Sequence, residues 1–295
     1  MTQTERTIQI PLPKLHEGQA EAKKQFKRFT VLAIGRRWGK TKMSLTLGCQ
    51  DAIKGKKIAY IAPTHSMSTK WFKDCATRLI QITKSINSKD HILELVTGGS
   101  IQTFSMESIN NIRGNDFDFI ILDEASYMNN LLDEWNKAIR PTLVDRKGSA
   151  LFLSTPNGYN DFYALSEKCK KDTKNWATIQ MTSHSNPFIP AEELDEVKES
   201  LPTEVYEREI LAKFNDTSAS IFKREWIQKV EQAPNDLAVS FGVDLAISKS
   251  TSGDFTCIAV VGHDTVYNKY YLLALHRSQM SFNEIVTRIT EMASL

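Results

Sequence analysis

Phe29-Thr30-Val31-Leu32-Ala33-Ile34-Gly35-Arg36-Arg37-Trp38-Gly39-Lys40-Thr41 is the stretch that decides the fold. Its first six residues form an apolar run that reads as a buried strand. A glycine-bearing turn follows, then Gly-Lys-Thr, then Met43-Ser44-Leu45-Thr46-Leu47, which opens a helix. Strand, turn, Gly-Lys-Thr and helix in this order form a cradle for nucleotide phosphates. N–H groups of the turn and the helix N-terminus face the phosphates, Lys40 reaches the β/γ oxygens, and the Thr41 hydroxyl holds Mg²⁺. One position departs from the usual G-x-x-x-x-G-K-[ST]: Ile34 occupies the first glycine slot. Gly35, one place later, is expected to allow the turn. Taken alone, Gly-Lys-Thr also fits a chance surface turn.

Phe119-Ile120-Ile121-Leu122-Asp123-Glu124 supplies the second half of the site. Four apolar residues bury a strand, and two carboxylates emerge at its C-terminal end, the edge where open α/β sheets bind ligands. Asp123 is expected to hold the Mg²⁺ shell through water opposite Thr41. Glu124 is expected to polarise the attacking water as general base. A strand ending in a solvated acidic turn is common, but two half-sites in the right order are much rarer than one. Ser154-Thr155-Pro156 follows the next strand and is placed to sense the γ-phosphate, or else is an ordinary turn. Gln19, upstream of the loop, has an amide suited to an adenine edge, although an exposed helix glutamine fits its spacing equally.

Around these motifs the pattern alternates. Helices are expected over 19–26, 67–82 and 131–139, and strands over 29–34, 58–62, 92–96, 100–105, 117–122 and 150–154, the third and fourth pairing around Gly98-Gly99. Alternation of this kind predicts an α/β fold with a mostly parallel central sheet covered on both faces. A charged helical segment broken by Pro202 spans 192–214. New strands at 239–245, 255–261 and 267–275 then begin an antiparallel set, followed by a helix from Phe282 that leaves the second unit cut off mid-fold. The expected divisions are 1–185, 186–217, 218–237 and 238–295.

The composition is that of an ordinary soluble globular chain: 295 residues, 41% hydrophobic, 24% charged, formal charge +2. That charge does not by itself announce a nucleic-acid binder. The four cysteines are far apart and form no Cys-x-x-Cys pair, which argues against zinc or a disulfide framework. No apolar run is long enough for a bilayer and no signal-peptide core is visible, so no membrane partner and a reducing cytosol are expected.

In chain order, Leu15-His16-Glu17-Gly18-Gln19, the Gly-Arg-Arg-Trp-Gly-Lys-Thr loop, Ile112-Arg113-Gly114 and the Leu-Asp-Glu-Ala strand end lead to Arg140-Pro141-Thr142-Leu143 and Leu153-Ser154-Thr155-Pro156-Asn157-Gly158. Asn186-Pro187 and Gly242-Val243-Asp244-Leu245-Ala246 complete the set. This set resembles the large terminase subunit of tailed phages, an ATP-driven DNA-packaging motor, over nearly the whole chain. The resemblance implies a P-loop ATPase of RecA-like (ASCE) type at 1–185, a small helical lid at 186–217, a linker at 218–237 and the start of a ribonuclease-H-like nuclease at 238–295. It implies that Gln19 belongs to an adenine motif, Gly35, Arg36, Arg37, Trp38, Gly39, Lys40 and Thr41 to the ATP loop, Asp123 and Glu124 to the metal and base pair, and Ser154-Thr155-Pro156 to the coupling motif. Arg36 or Arg37 becomes a cis arginine near the γ-phosphate. Arg140 becomes a finger inserted into a neighbouring subunit's site, although a helix C-terminal cation explains it equally.

Asp244 matches the first nuclease carboxylate of that family. It reads as mid-strand on an apolar face, where a carboxylate is costly unless it binds a metal or partner. Two Mg²⁺ or Mn²⁺ need several carboxylates. The later ones are not in the chain and Asp254 reads better as a turn residue, so the expectation is that this chain does not cleave DNA. The implied partners are double-stranded DNA, a small terminase subunit, a portal protein and further copies in a ring on a procapsid, in the host cytoplasm. Basic clusters at 23–28, 54–57 and 168–174 fit solvated faces as well as DNA contacts. A helicase-type ATPase and a non-enzymatic nucleotide-dependent ring-assembly protein stay open beside the motor. The first needs a second RecA-like domain, whereas a lid-sized helical segment and then a strand with Asp244 follow Asn186, and Glu124 argues against the second.

Overall fold

In the computed structural model, residues 8–215, 226–246 and 255–293 are described. The chain divides into two compact units, Met1–Lys223 and Arg224–Leu295. In the first, α1 (Glu17–Lys24), β1 (Phe29–Ile34), α2 (Lys40–Ile53), β2 (Lys57–Ala62) and α3 (His65–Leu79) lead into β3 (Thr83–Asn87), β4 (Ile92–Leu95) and β5 (Ser100–Ser105). Then come β6 (Phe119–Asp123), α4 (Leu131–Glu134), β7 (Ser149–Ser154), α5 (Asp161–Lys171), β8 (Trp176–Met181), α6 (Ala191–Ser200) and α7 (Thr203–Glu209). The eight strands lie in the order β3-β4-β5-β2-β6-β7-β1-β8. Every pairing from β5 to β8 is parallel, and only β3–β4 and β4–β5 are antiparallel. This is the mostly parallel α/β sheet expected from the sequence.

The near-continuous apolar runs of β1 and β6 follow from burial on both faces. Leu32 and Ile34 enter the core beneath α2 and α3 with Trp38, Met43 and Trp71. Phe29, Val31 and Ala33 enter the opposite core with Trp135, Phe152 and Phe162. In β6, Ile121 faces the first core and Ile120 and Leu122 the second. Asp123 shares the parity of Ile121 and so falls on the α2 side, where Tyr60 of β2 also lies.

Two strands escape the sequence reading. β3 is exposed along nearly its whole length, so it carries no apolar signal. β8 is an edge strand whose buried Trp176 and Ile179 are interrupted by polar residues. The helix expected over 131–139 begins as α4 but widens into a π turn at Trp135–Ile139 before Pro141. The Pro202 break separates α6 from α7, which share a small apolar cluster of Leu194, Tyr206 and Ile210.

The second unit is an antiparallel sheet of β9 (Ala238–Asp244), β10 (Thr256–Asp264) and β11 (Lys269–Ser278) in the order β11-β10-β9, followed by α8 (Phe282–Ala293). Strict burial alternation along β10 puts Ile258 and Val260 against Met280, Ile285 and Met292. Among the described residues, no helix is long and apolar enough to cross a membrane.

Candidate nucleotide site

The strand order assembles the site. Because β7 lies between β6 and β1, the tip of β7 falls between Asp123-Glu124 and the loop after β1. Ser154 and Thr155 therefore stand between the two half-sites. Ser154 Oγ donates to Glu124 Oε2 at 3.2 Å, and Lys40 Nζ donates to Thr155 Oγ1 at 2.8 Å. Lys40 Nζ also lies 3.7 Å from Glu124 Oε1. Lys40, Glu124, Ser154 and Thr155 thus form one polar network, and Pro156 continues the β7 tip.

α2 starts without a side-chain cap. Its N-cap is Gly39 in the left-handed region, φ 97°. Among the described residues, the first-turn N–H groups of Lys40 and Thr41 have no acceptor, the condition for anion binding at a helix N-terminus. Thr41 is exposed at this turn.

Asp123 is 1% exposed and accepts hydrogen bonds from the Tyr60 hydroxyl at 2.9 Å and the Glu124 N–H at 3.0 Å. Burial pushes its carboxyl up to about 6, the neighbouring Glu124 charge adds to this, and the Tyr60 hydrogen bond and Lys40 oppose it. Burial and the Asp123 charge in turn drive the Tyr60 phenol well above its ordinary value. Tyr60 stacks on Trp71 with ring centroids 4.1 Å apart, and Trp71 Nε1 donates to Ser44 Oγ of α2 at 3.1 Å. Tyr60 is a site residue that the sequence hides as one more apolar-strand position. Its signal is a hydroxyl inside the strand paired with β6. Glu124 itself is left-handed, φ 54°, a strained geometry for a residue with a Cβ.

The loop differs from the sequence expectation in what Gly35 does. The left-handed residues are Arg37, φ 60°, and Gly39, so Gly35 does not supply the turn. It is small because its neighbours press close: a Cβ there would meet Ser183 Oγ at 2.4 Å and the Ile210 carbonyl at 2.5 Å. Arg36 is largely exposed and its guanidinium lies 3.9 Å from Glu209. The Arg37 side chain is exposed, while Trp38 is fully buried with its Nε1 donating to Ser185 Oγ at 2.6 Å. Gln19 is 3% exposed and its amide is engaged on both sides. Oε1 accepts from the His16 N–H at 3.2 Å and Nε2 donates to the Gly39 carbonyl at 3.1 Å. The structure therefore places Gln19 against the phosphate loop rather than on an exposed helix face.

The other expected residues lie apart from this network. Arg140 is exposed where the π turn meets Pro141. Its backbone N–H donates to the Trp135 carbonyl, while its guanidinium makes no hydrogen bond or ion pair among the described residues. Asp244 is the last residue of β9, in register with Cys257, and the whole of β9 is exposed. The expectation of a carboxylate held mid-strand on an apolar face, costly without a metal or partner, is therefore corrected: Asp244 ends its strand and is exposed, so no burial cost singles it out. Asp254 lies outside the described residues. Among the described residues no group of three or more His, Cys, Asp or Glu could hold a metal. The Thr41 hydroxyl at the start of α2 and the buried Asp123 carboxylate at the tip of β6 nevertheless have the chemistry that suits Mg²⁺, which takes one or two protein oxygens and fills its remaining positions with phosphate and water.

Residues 31–229 match the family model described as terminase large subunit, T4likevirus-type, N-terminal. The chain belongs to the terminase large subunit family. This terminase chain is 28% identical over 200 residues to the terminase large subunit of Escherichia phage T5, an alignment that covers 66% of the chain but 46% of the relative. It thus spans about half the length of that curated relative. In fold it is similar to the large terminase ATPase domain of Thermus phage P74-26, with TM-score 0.57, 23% identity, and coverage of 68% of this chain and 94% of that one. It is also similar to the large terminase of a thermophilic bacteriophage in complex with ADP, with TM-score 0.55, 14% identity, and coverage of 94% and 73%.

Proposed function

We propose that the chain binds ATP with Mg²⁺ at this site, hydrolyses it, and as part of a phage large terminase drives double-stranded DNA into a procapsid. The observation that carries the reading is Lys40, held between Thr155 and Glu124 at the uncapped start of α2. A nucleotide phosphate takes over Lys40, and the Glu124 carboxylate then becomes available to accept a proton from water. Ser154, hydrogen-bonded to Glu124, aims that carboxylate and reports its state to β7. Thr41 and Asp123 would hold Mg²⁺, which when bound neutralises phosphate charge. Gln19, its amide held between His16 and the Gly39 carbonyl, acts through the loop and not by direct contact with adenine. Arg36 or Arg37 stabilises charge on the transferring phosphoryl group, and Arg140 does so for a neighbouring subunit. The ADP complex of the similar terminase supports the choice of nucleotide.

The motor reading extends to a ring of copies working with a portal protein and a small terminase subunit in the host cytoplasm. A metal-dependent endonuclease that includes Asp244, using Mg²⁺ or Mn²⁺, belongs to the full-length protein. Steady-state ATP turnover of wild type, Lys40→Ala and Glu124→Gln tests the core of the proposal. Glu124→Gln should still bind ATP while turnover drops roughly 100-fold or more, the usual cost of losing a general base. Full turnover in Glu124→Gln would favour a nucleotide-dependent assembly scaffold instead.

A further inference from the structure

Four successive carbonyls of the phosphate loop are held by side chains from outside it. Ser183 Oγ donates to the Arg36 carbonyl at 2.7 Å and Asn186 Nδ2 to that of Arg37 at 2.9 Å. His16 Nε2 donates to the Trp38 carbonyl at 3.0 Å and Gln19 Nε2 to that of Gly39 at 3.1 Å. The direction at His16 is settled by its other nitrogen, since Nδ1 accepts from the Gln19 N–H at 3.3 Å. The four side chains come from two distant places, the start of α1 and the turn after β8.

Their common effect follows from peptide geometry. In a planar trans peptide the C=O and the next N–H point to opposite sides. Drawing the carbonyls of Arg36, Trp38 and Gly39 outward turns the N–H groups of Arg37, Gly39 and Lys40 the other way, and among the described residues no acceptor is assigned to these three. The Gly35 and Arg36 N–H groups are already committed, to the Met181 carbonyl at 2.9 Å and the Glu209 carbonyl at 2.6 Å. The loop also contains a strained residue, left-handed Arg37, and the Asn186 amide holds the carbonyl of that very residue. The Trp38 N–H between them donates to the Gly35 carbonyl at 3.4 Å. N–H groups gathered in one loop without an acceptor or an anion repel one another, so the arrangement needs an outside restraint to persist.

We propose that Ser183, Asn186, His16 and Gln19 are positioning residues that hold the phosphate loop open for an anion before the nucleotide arrives. This rests on the nucleotide-site reading above. Ser183 and Asn186 give the cleanest test, because they belong to neither half-site motif. ADP and inorganic tripolyphosphate, each with Mg²⁺, are titrated calorimetrically into wild type, Asn186→Ala, Ser183→Ala and Lys40→Ala, with ATP turnover and ligand-free melting temperature measured alongside. Loss of either tie should weaken ADP and tripolyphosphate alike, by roughly fivefold to tenfold, the worth of one hydrogen bond. KM should rise by a similar factor while kcat holds, since ground state and transition state lose the same contact.

Binding of both ligands at wild-type strength in both variants overturns the proposal, whatever happens to the melting temperature. So does a loss confined to ADP, which would place the ties on the nucleoside, or a fall in kcat with unchanged KM. If Asn186→Ala does not fold, Ser183→Ala carries the test with the loss of a single hydroxyl. If wild type binds neither ligand, or Lys40→Ala binds as well as wild type, the site reading itself fails and takes this proposal with it.

Discussion

Asp123 shows at the residue scale how a site trades stability for chemistry. A carboxyl raised to about 6 in the folded chain holds its proton over a pH range where the unfolded chain has released it. Through that window the folded state binds more protons, so stability falls as pH rises from the ordinary carboxylate range to about 6 and stays low above it. The loss amounts to at most about 3 kcal/mol. In nucleotide-free, metal-free protein, Asp123→Asn should therefore raise the melting temperature at pH 8, with the gain fading toward pH 4. A melting series across that range checks it, and an equal gain at both ends would place the effect elsewhere. Asp123 and Glu124 were legible in the sequence because a carboxylate pair after four apolar residues is a local pattern. Tyr60 was not, because its meaning depends on which strand lies beside β2.

Among the elements, the turn between β4 and β5 separates two kinds of glycine. Gly98 is left-handed, φ 85°, with open space where a Cβ would point. Gly99 has an ordinary φ, but a Cβ would stand 2.0 Å from the Ala52 carbonyl at the end of α2. Gly98→Asn should be mild, since Asn tolerates that region. Gly99→Ala should cost on the order of 2 kcal/mol, because backbone must move to admit the methyl. Urea unfolding of the two variants decides it, and equal losses would show that backbone conformation alone governs the turn. The Gly98-Gly99 hairpin was readable from its flanking apolar runs. β3 and β8 were not, since edge strands with one wet side carry too few apolar residues to mark themselves. Asp244 marks the opposite error: an apolar neighbourhood in sequence became an exposed strand end in space.

For the whole molecule, the consequential fact is that every residue of the nucleotide network belongs to the first unit. A ligand stabilises what it binds by mass action, about 2.7 kcal/mol at a hundredfold excess over Kd. Saturating ADP should therefore slow hydrogen exchange in β1, α2, β6 and β7 and leave β9, β10 and β11 unchanged. Mass-spectrometric exchange with and without ADP measures this, and equal protection in both units would contradict a site confined to the first.

The sequence by itself determined the α/β class, the phosphate loop and the carboxylate pair, because each is written in a few consecutive residues whose burial or charge is a local matter. Tertiary structure alone decided the rest. The order β6-β7-β1 brought Thr155 to Lys40 and Ser154 to Glu124. Packing of the β8 turn and of Ile210 gave Gly35 its reason. Ser183 and Asn186 gained their roles by reaching loop carbonyls nearly 150 residues upstream. Contacts over such separations leave no periodicity in the chain; they exist only once the strands have chosen their neighbours.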